Sequence, residues 1–343
     1  MKNSRYSIPR PRKRGAGSPK KLAVAYTWFR SCLQPAMVAW LSLCDDLDLM
    51  TLEDCRRFYA EEIRLAASLK SSALVEALMH VPREKFLGPP PWQIASPEQA
   101  LAVGPTGSAY IATSDPRDLY HNLLVAIDPA RRLNNGQPSA LLRWIDALDL
   151  RPGDRAYHLG CGVGYYTAII AEAVGPTGAV VASEVDSALA ARARANLASY
   201  PNVTVHDRDG ATVDPGSCNA MMINAGVTHP EPVWLDRLAE NGRLVLPITT
   251  AIGRPGFGAG VVVAVVRQQS GFSAHVLTQV AIYNCTSARD PDLEKLLAKA
   301  LSTPTLTKIR SLRRDDHESA ESCVLHGKGF CLSAAEIIPD QTE

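Results

Sequence analysis

His158-Leu159-Gly160-Cys161-Gly162-Val163-Gly164-Tyr165 is the stretch around which the chain is organised. The short run Arg155-Ala156-Tyr157 precedes it, launched by the turn signal Pro152-Gly153-Asp154, and the helix-compatible Tyr166-Thr167-Ala168-Ile169-Ile170-Ala171 follows. Strand, glycine loop and helix in that order set a nucleotide-like ligand against backbone N–H groups at a helix N-terminus. Glycine is needed there because a Cβ would hold the ligand away from the backbone. After a helix predicted over 164–174 and the turn Gly175-Pro176-Thr177-Gly178 comes Ala179-Val180-Val181-Ala182-Ser183-Glu184, a buried-strand run ending in an acid. Glu184 lies about 20 residues beyond the loop, where a carboxylate accepts both hydroxyls of a ribose. That spacing also suits a dinucleotide enzyme. The loop, however, is GxGxG, and Tyr165 stands where a third pyrophosphate-approaching glycine is expected. This favours a ligand without a pyrophosphate, such as S-adenosylmethionine.

Working outward, strands and helices alternate from Arg155 onward, which predicts a mainly parallel sheet covered by helices on both faces. Helix 187–199, strand 202–206, strand 219–224, helix 231–239 and strand 243–249 follow in turn. Residues 259–268 and 274–283, around Ser270-Gly271, read as an antiparallel hairpin closing the sheet. A helix near 291–301 and a last hairpin, Cys323–His326 with Phe330–Ser333, complete the chain. Upstream, Leu52, Cys55, Tyr59, Ile63 and Ala66 fall at helical spacing with Thr51 as a plausible N-cap. A second helix carries Leu74, Val75, Leu78 and Met79 and must end before Pro82. Pro89-Pro90-Pro91-Trp92 reads as a rigid corner and 93–120 as mostly loop. Ser139 is expected to cap a helix with Leu141, Leu142, Ile145 and Leu148 on one face.

The 343 residues are 46% hydrophobic and 21% charged, an ordinary water-soluble composition with enough length for a sizeable core. Net charge +1 hides an asymmetry. Residues 1–21 carry eight basic side chains and no acid, leaving the rest at −7. The tail should be disordered and solvated, with contact to nucleic acid or a membrane surface the alternative for residues 1–21; no membrane or nucleic-acid partner is expected for the rest. The apolar residues 22–44 are broken by Arg30, Gln34 and Pro35, so no run reaches transmembrane length, and the break argues against a signal peptide. Eight scattered cysteines without a CxxC pair read as reduced thiols in a cytoplasmic protein.

On these residues the chain resembles the protein L-isoaspartyl O-methyltransferases. The resemblance rests on Leu159–Tyr165, Glu184, the segment Asn202–Gly210 and Leu238–Pro247, together with Val81-Pro82-Arg83-Glu84-Lys85-Phe86-Leu87 and Gly136-Gln137-Pro138-Ser139 upstream. It covers roughly 51–285 and makes Met50 an alternative start. It implies a Rossmann-like class I methyltransferase fold with an N-terminal helical cap and a C-terminal extension. The corresponding division is 1–50 (tail and apolar segment), 51–150 (cap and substrate side), 151–286 (S-adenosylmethionine-binding core) and 287–343 (extension). The implied activity is S-adenosylmethionine-dependent methylation of an isoaspartyl or aspartyl carboxylate in a protein or peptide. His158, Gly160, Cys161, Gly162, Gly164, Tyr165 and Glu184 would hold the cofactor, and Asp209 and Gly210 would lie on its adenine.

Two departures matter. The family has an acid where this chain has His158, which changes the charge but can still hydrogen-bond a ligand. Where the family has Thr-Ile-Ser, a serine hydroxyl orienting the acceptor carboxylate, this chain has Asn134, Asn135 and Gly136. Asparagine amides can donate to a carboxylate instead, and Arg131 or Arg132 can pair with one. The alternatives are a methyltransferase acting on a modified peptide or small metabolite, or a relative that binds cofactor without catalysis. His121 and His229 are further candidates for substrate contact. Cys323, His326 and Cys331 suggest a metal, but three donors on one hairpin fall short of a structural zinc site, so no metal is expected.

Overall fold

The computed structural model describes residues 50–96, 98 and 110–337. The basic tail and the apolar segment lie outside the described residues, as does part of the 93–120 stretch. The chain divides into two units, Met1–Thr51 and Leu52–Glu343, and the second carries the described helices and strands.

Helices α1 (Leu52–Ala67), α2 (Ser72–His80) and the short α3 (Arg83–Phe86) open it. α1 buries Cys55, Tyr59, Ala60, Ile63 and Ala67. Ala67 is buried in place of the expected Ala66, because the core lies a little further round the helix. Stretch 93–120 is less loop-like than its composition suggests. β1 (Trp92–Ala95) and β2 (Ile111–Thr113) pair antiparallel, and with β3 (Leu124–Asp128) and β4 (Leu133–Asn134) they make a separate small sheet. α4 (Pro138–Asp146) follows. Ser139 does not cap it. The N-cap residue is Gln137, without a side-chain cap bond. Asn122 acts from outside instead: its Oδ1 accepts the Ser139 N–H at 3.0 Å and its Nδ2 donates to Ser139 Oγ at 2.9 Å.

The remaining strands form one ten-stranded sheet. β5 (Arg155–Leu159), α5 (Tyr165–Val174), β6 (Ala179–Glu184), α6 (Ser187–Asn196), β7 (Val203–Asp207), β8 (Cys218–Ile223) and α7 (Pro232–Arg237) alternate as the sequence predicts. β9 (Leu238–Ala251), β10 (Phe257–Gln268) and β11 (Gly271–Tyr283) are long antiparallel strands. After α8 (Pro291–Leu301) come β12 (Ser311–Arg313), β13 (Cys323–Gly327) and β14 (Phe330–Ser333). The order is β13-β14-β12-β11-β10-β9-β8-β5-β6-β7. Only the block β7-β6-β5-β8-β9 is parallel. The sheet is therefore mixed rather than mainly parallel, because hairpins rather than crossover helices extend it from β9 onward. Helix 231–239 is correspondingly short, since its expected end is the start of β9.

Alternation along the strands divides the core in two. Ala156, Ala182, Ala220, Met222 and Val245 pack under α1, α2, α4 and α5. Tyr157, Val181, Met221, Ile223 and Leu244 face the opposite way, with Trp234 of α7 and Leu297 of α8. Among the described residues no helix is long and apolar enough to cross a membrane.

The Arg83-Glu84-Lys85-Phe86 motif fastens the cap to this core. The Arg83 guanidinium is fully buried. It donates to the carbonyls of Leu119 (2.6 Å), His121 (3.1 Å) and Leu123 (3.0 Å), and its Cζ lies 5.8 and 5.9 Å from the Tyr59 and Tyr165 ring centroids. Tyr120 donates its hydroxyl to Glu84 and accepts the Arg83 N–H. A buried cation costs several kcal/mol unless its donors are met, and removing it strands the acceptors. Arg83→Met is therefore expected to lower unfolding free energy by about 3 kcal/mol or more. Urea denaturation checks this, and a loss under about 1 kcal/mol would refute the role given to Arg83.

Candidate active site

The glycine loop is locked between the ends of three strands. Gly160 and Cys161 N–H groups both donate to the Ser183 carbonyl at 2.9 and 3.1 Å, and Asn224 Nδ2 donates to the Gly160 carbonyl at 3.1 Å. Gly160 has φ +74°, and a Cβ there would lie 3.0 Å from the Asn224 carbonyl oxygen. Gly164 has φ +90° at the N-cap of α5, where a Cβ would meet Leu197 Cδ1 at 2.8 Å. Such left-handed backbone with no room for a side chain is what glycine alone supplies. Glu184, at the end of β6, accepts the Gly162 N–H at 2.8 Å and the Asp186 N–H at 3.1 Å through its two oxygens. Burial raises its pKa, opposed by these backbone donors.

The loop lies beside β5, whose neighbours β6 and β8 are reached by chain connections running in opposite directions. Such a switch point opens a crevice at the carboxyl ends of the strands. A cavity of about 750 Å³ occupies it, within the usual range for small-ligand sites. Gly160, Cys161, Gly162, Glu184, Asp209 and Gly210 line one part, and Asn134, Asn135 and Gly136 line another. Tyr157 fixes the Asp209-Gly210 turn by donating to the Gly210 carbonyl at 2.7 Å. Asp209 accepts the Ala211 N–H at 3.0 Å and the Thr286 hydroxyl at 2.8 Å. Burial works against its ionisation, but hydrogen bonds from Ser287, Ala211 and Thr286 outweigh it and keep the pKa low.

Asn134 Oδ1 accepts the Gly136 N–H at 2.8 Å, closing a tight turn that brings Gly136 to φ +76°. Asn135, 7% exposed, donates its backbone N–H to the Val125 carbonyl. Its side-chain Nδ2 is buried without a hydrogen-bond partner among the described residues.

Three expected cofactor residues stand away from the cavity. His158 is fully buried, with Nδ1 2.9 Å from Thr167 Oγ1 of α5. Strand alternation sends its ring to the helical face, and desolvation pushes its pKa down to about 4. Gly164 serves the turn itself. Tyr165 packs edge-on against Phe86, and its neighbour Tyr166 reaches the cavity instead. Cys161 lines the cavity as a small neutral residue, its thiol pushed far above the ordinary range by burial and then by Glu184. Arg131 is held by Asp128 and Asp186. His121 faces Glu62, and His229 lies beside Thr228 and Phe330; neither lines the cavity.

Arg254 was not singled out from the sequence. It lines the cavity with its Cζ 4.6 Å from the Phe257 ring centroid, and its Nη2 donates to Tyr283 Oη at 3.2 Å. It has no carboxylate partner among the described residues. Its only signal in the sequence is the Arg-Pro-Gly-Phe turn. The three-donor view of the last hairpin also needs correction, because His317, from the loop after β12, joins Cys323, His326 and Cys331.

A glycine loop at the switch point, an acid at the end of the next strand and a cavity that both line are the arrangement of a class I S-adenosylmethionine-dependent methyltransferase. The family model for protein-L-isoaspartate(D-aspartate) O-methyltransferase matches residues 60–255, and the chain belongs to that family. A protein-L-isoaspartate O-methyltransferase of Ignicoccus hospitalis is 26% identical over 234 residues, 67% of this chain and 96% of that one. One from Methanothermobacter thermautotrophicus is 28% identical over 204 residues, 57% of this chain and 80% of that one. A solved protein-L-isoaspartate O-methyltransferase superposes with a TM-score of 0.54 at 20% identity, covering 71% of this chain and 69% of that one. All of β10 and every later element lie beyond the family match.

The buried His158 has a consequence for acid stability. Its folded pKa, about 4, lies below the ordinary 6.5. The unfolded chain therefore binds the extra proton first, and stability present above pH 6.5 is lost as pH falls toward 4. The loss is about 3 kcal/mol. His158→Asn should flatten this part of the profile. Denaturant unfolding at pH 7 and pH 4.5 compares the two proteins, and parallel profiles would exclude His158 as the source.

Proposed function

We propose that this enzyme methylates the side-chain carboxylate of an isoaspartyl or aspartyl residue in a protein or peptide, with Asn135 taking the place of the family's serine hydroxyl. The observation that carries the reading is Asn135, which lines the cavity that the glycine loop also lines and whose buried Nδ2 has no hydrogen-bond partner among the described residues. An amide donor with no partner among the described residues, on a residue lining the same cavity as the glycine loop, fits a carboxylate acceptor.

The residues present suit the cofactor: glycines leave backbone open at the loop, Glu184 would hold the ribose, and Asp209 and Gly210 the adenine. When bound, S-adenosylmethionine supplies a methyl group on a sulfonium, which leaves as a neutral thioether. The acceptor carboxylate is ionised at neutral pH, so no general base is required. The chain's own task is to orient that carboxylate and exclude water, an effect worth several kcal/mol. Apolar Leu124, Ile127, Leu133 and Trp144 line the cavity and would exclude water, while Asn135 aims the carboxylate and Arg254 offsets its charge. On this reading 151–286 is the cofactor-binding core, 51–150 supplies the acceptor side and 287–343 is an extension. A reducing, cytoplasmic setting belongs to the same reading, supported by the unpaired cysteines among the described residues.

The deciding experiment incubates purified protein with radiolabelled S-adenosylmethionine and an isoaspartyl peptide beside its normal-aspartyl twin. Base-labile label on the isoaspartyl peptide is expected. Cofactor binding by calorimetry with neither peptide labelled would sink this acceptor and favour a specialised carboxylate, to which the missing hydroxyl at 134–136 also points. Two variants separate the roles. Asn135→Ala should lower kcat/KM for the peptide by about 10- to 100-fold with cofactor affinity unchanged. Glu184→Ala should weaken cofactor binding by a similar factor. Equal effects of both variants on cofactor affinity would contradict the assignment.

A further inference from the structure

We propose that His317, Cys323, His326 and Cys331 form a tetrahedral structural zinc site that fixes the C-terminal hairpin to the loop preceding it. The side-chain donor atoms of these four residues all lie within 4.8 Å of one another. Tetrahedral zinc with sulfur at about 2.3 Å and nitrogen at about 2.0 Å sets neighbouring donors roughly 3.5 Å apart. Cys323 Sγ and His317 Nε2 are 3.5 Å apart.

Local structure converges the donors. In a regular strand residues three apart point to opposite faces, which would separate Cys323 from His326. The β13–β14 register shifts between Cys323 and Leu325, and a bulge of this kind turns one side chain to the other face. His326 then stands directly opposite Cys331. His317 comes from the loop Arg314–Ser322, which offers Ala320 as its one aliphatic side chain and little apolar area with which to fold.

The surrounding hydrogen bonds match what metal ligands require. His317 Nδ1 is 3.0 Å from the Asp315 carbonyl oxygen and 3.3 Å from its Oδ2. A proton held there leaves Nε2 with its lone pair toward the cluster, the outer-shell arrangement usual for ligating histidine. The Ala320 N–H donates to Cys323 Sγ at 3.3 Å. His326 Nδ1 is buried with no hydrogen-bond partner among the described residues, which coordination would supply.

Two adjacent thiolates exclude each other unless a cation lies between them, and a divalent ion meeting two thiolates and two neutral imidazoles is charge-balanced. With four protein donors the site is closed and therefore structural. None of the four lines the methyl-transfer cavity.

The test uses the full chain expressed with added zinc and purified without chelator. Elemental analysis should find one zinc per chain, lost in the double variant Cys323→Ser/Cys331→Ser. Replacement by cobalt(II) should give visible bands of tetrahedral intensity and a thiolate-to-cobalt charge-transfer band. His317→Cys should retain the metal and strengthen that band, which keeps the test decisive where the serine variants fail to fold. Trace metal in the wild type, an octahedral cobalt spectrum, or a Cys323–Cys331 disulfide in freshly purified protein would each overturn the site.

Discussion

The carboxylate of Glu184 is the constraint on which the cofactor half of the molecule depends. One oxygen takes the Gly162 N–H and the other the Asp186 N–H, so a single side chain ties the glycine loop to the turn that begins α6. Beside it the loop is held by the backbone bonds of Gly160 and Cys161 to Ser183, by the Asn224 side chain on the Gly160 carbonyl and by the bonds at its far end. Asn196 secures that far end, donating from one amide to the carbonyls of Val163 and Phe86 at 2.9 and 3.1 Å. The helical cap and the cofactor loop are thus joined through Phe86, and the same cap holds the 119–123 segment through Arg83. Geometry at the acceptor wall is in this way referred back to the loop it must face.

Beyond β9 the logic changes from crossover helices to hairpins. The Val261–Val265 run of β10 is paired on both edges and covered on both faces, so a continuous apolar stretch is tolerated there. β11 brings Tyr283 to the cavity rim, where its hydroxyl donates to the Arg132 carbonyl at 2.8 Å. One wall of the cleft is therefore supplied by strands late in the chain, largely outside the family match.

The core of the fold was legible because it rests on local signals. Glycines before a helix, an acid at the end of the next strand and the β10–β11 turn need no distant partner to be read. What was illegible depended on distant residues. Ser139 looks like a cap until Asn122, seventeen positions earlier, takes its N–H. The resemblance alone suggested that His158 faces the ligand, but strand alternation turns it to Thr167. Tyr165 and Tyr166 are adjacent aromatics, and only the phase of α5 decides which reaches the cavity. His317 gave no spacing signal because it joins the hairpin through a bulge and an irregular loop, neither of which has a period.

The cavity rim also constrains how an anionic acceptor can be received. Asp128 and Asp186 would repel a carboxylate, but Arg131 bridges both, and this pairing, through Arg131 first, holds the Asp186 carboxyl below its usual range. Arg131 is thereby spent on neutralising the rim and is not free to grip the substrate. On the proposed reading, Asn135 Nδ2 and the aromatic-backed Arg254 are the groups that would receive the acceptor. A neutral amide pays less desolvation than a charge and presents donors without a proton to lose, so its aim at a carboxylate does not vary with pH. A serine hydroxyl can rotate between donor and acceptor roles, whereas the amide's donors lie in a fixed plane. On the proposed reading, replacing the hydroxyl by an amide on a tight glycine turn would exchange adaptability for direction, and a directed donor would narrow the range of acceptors by leaving a poorly placed carboxylate unpaired.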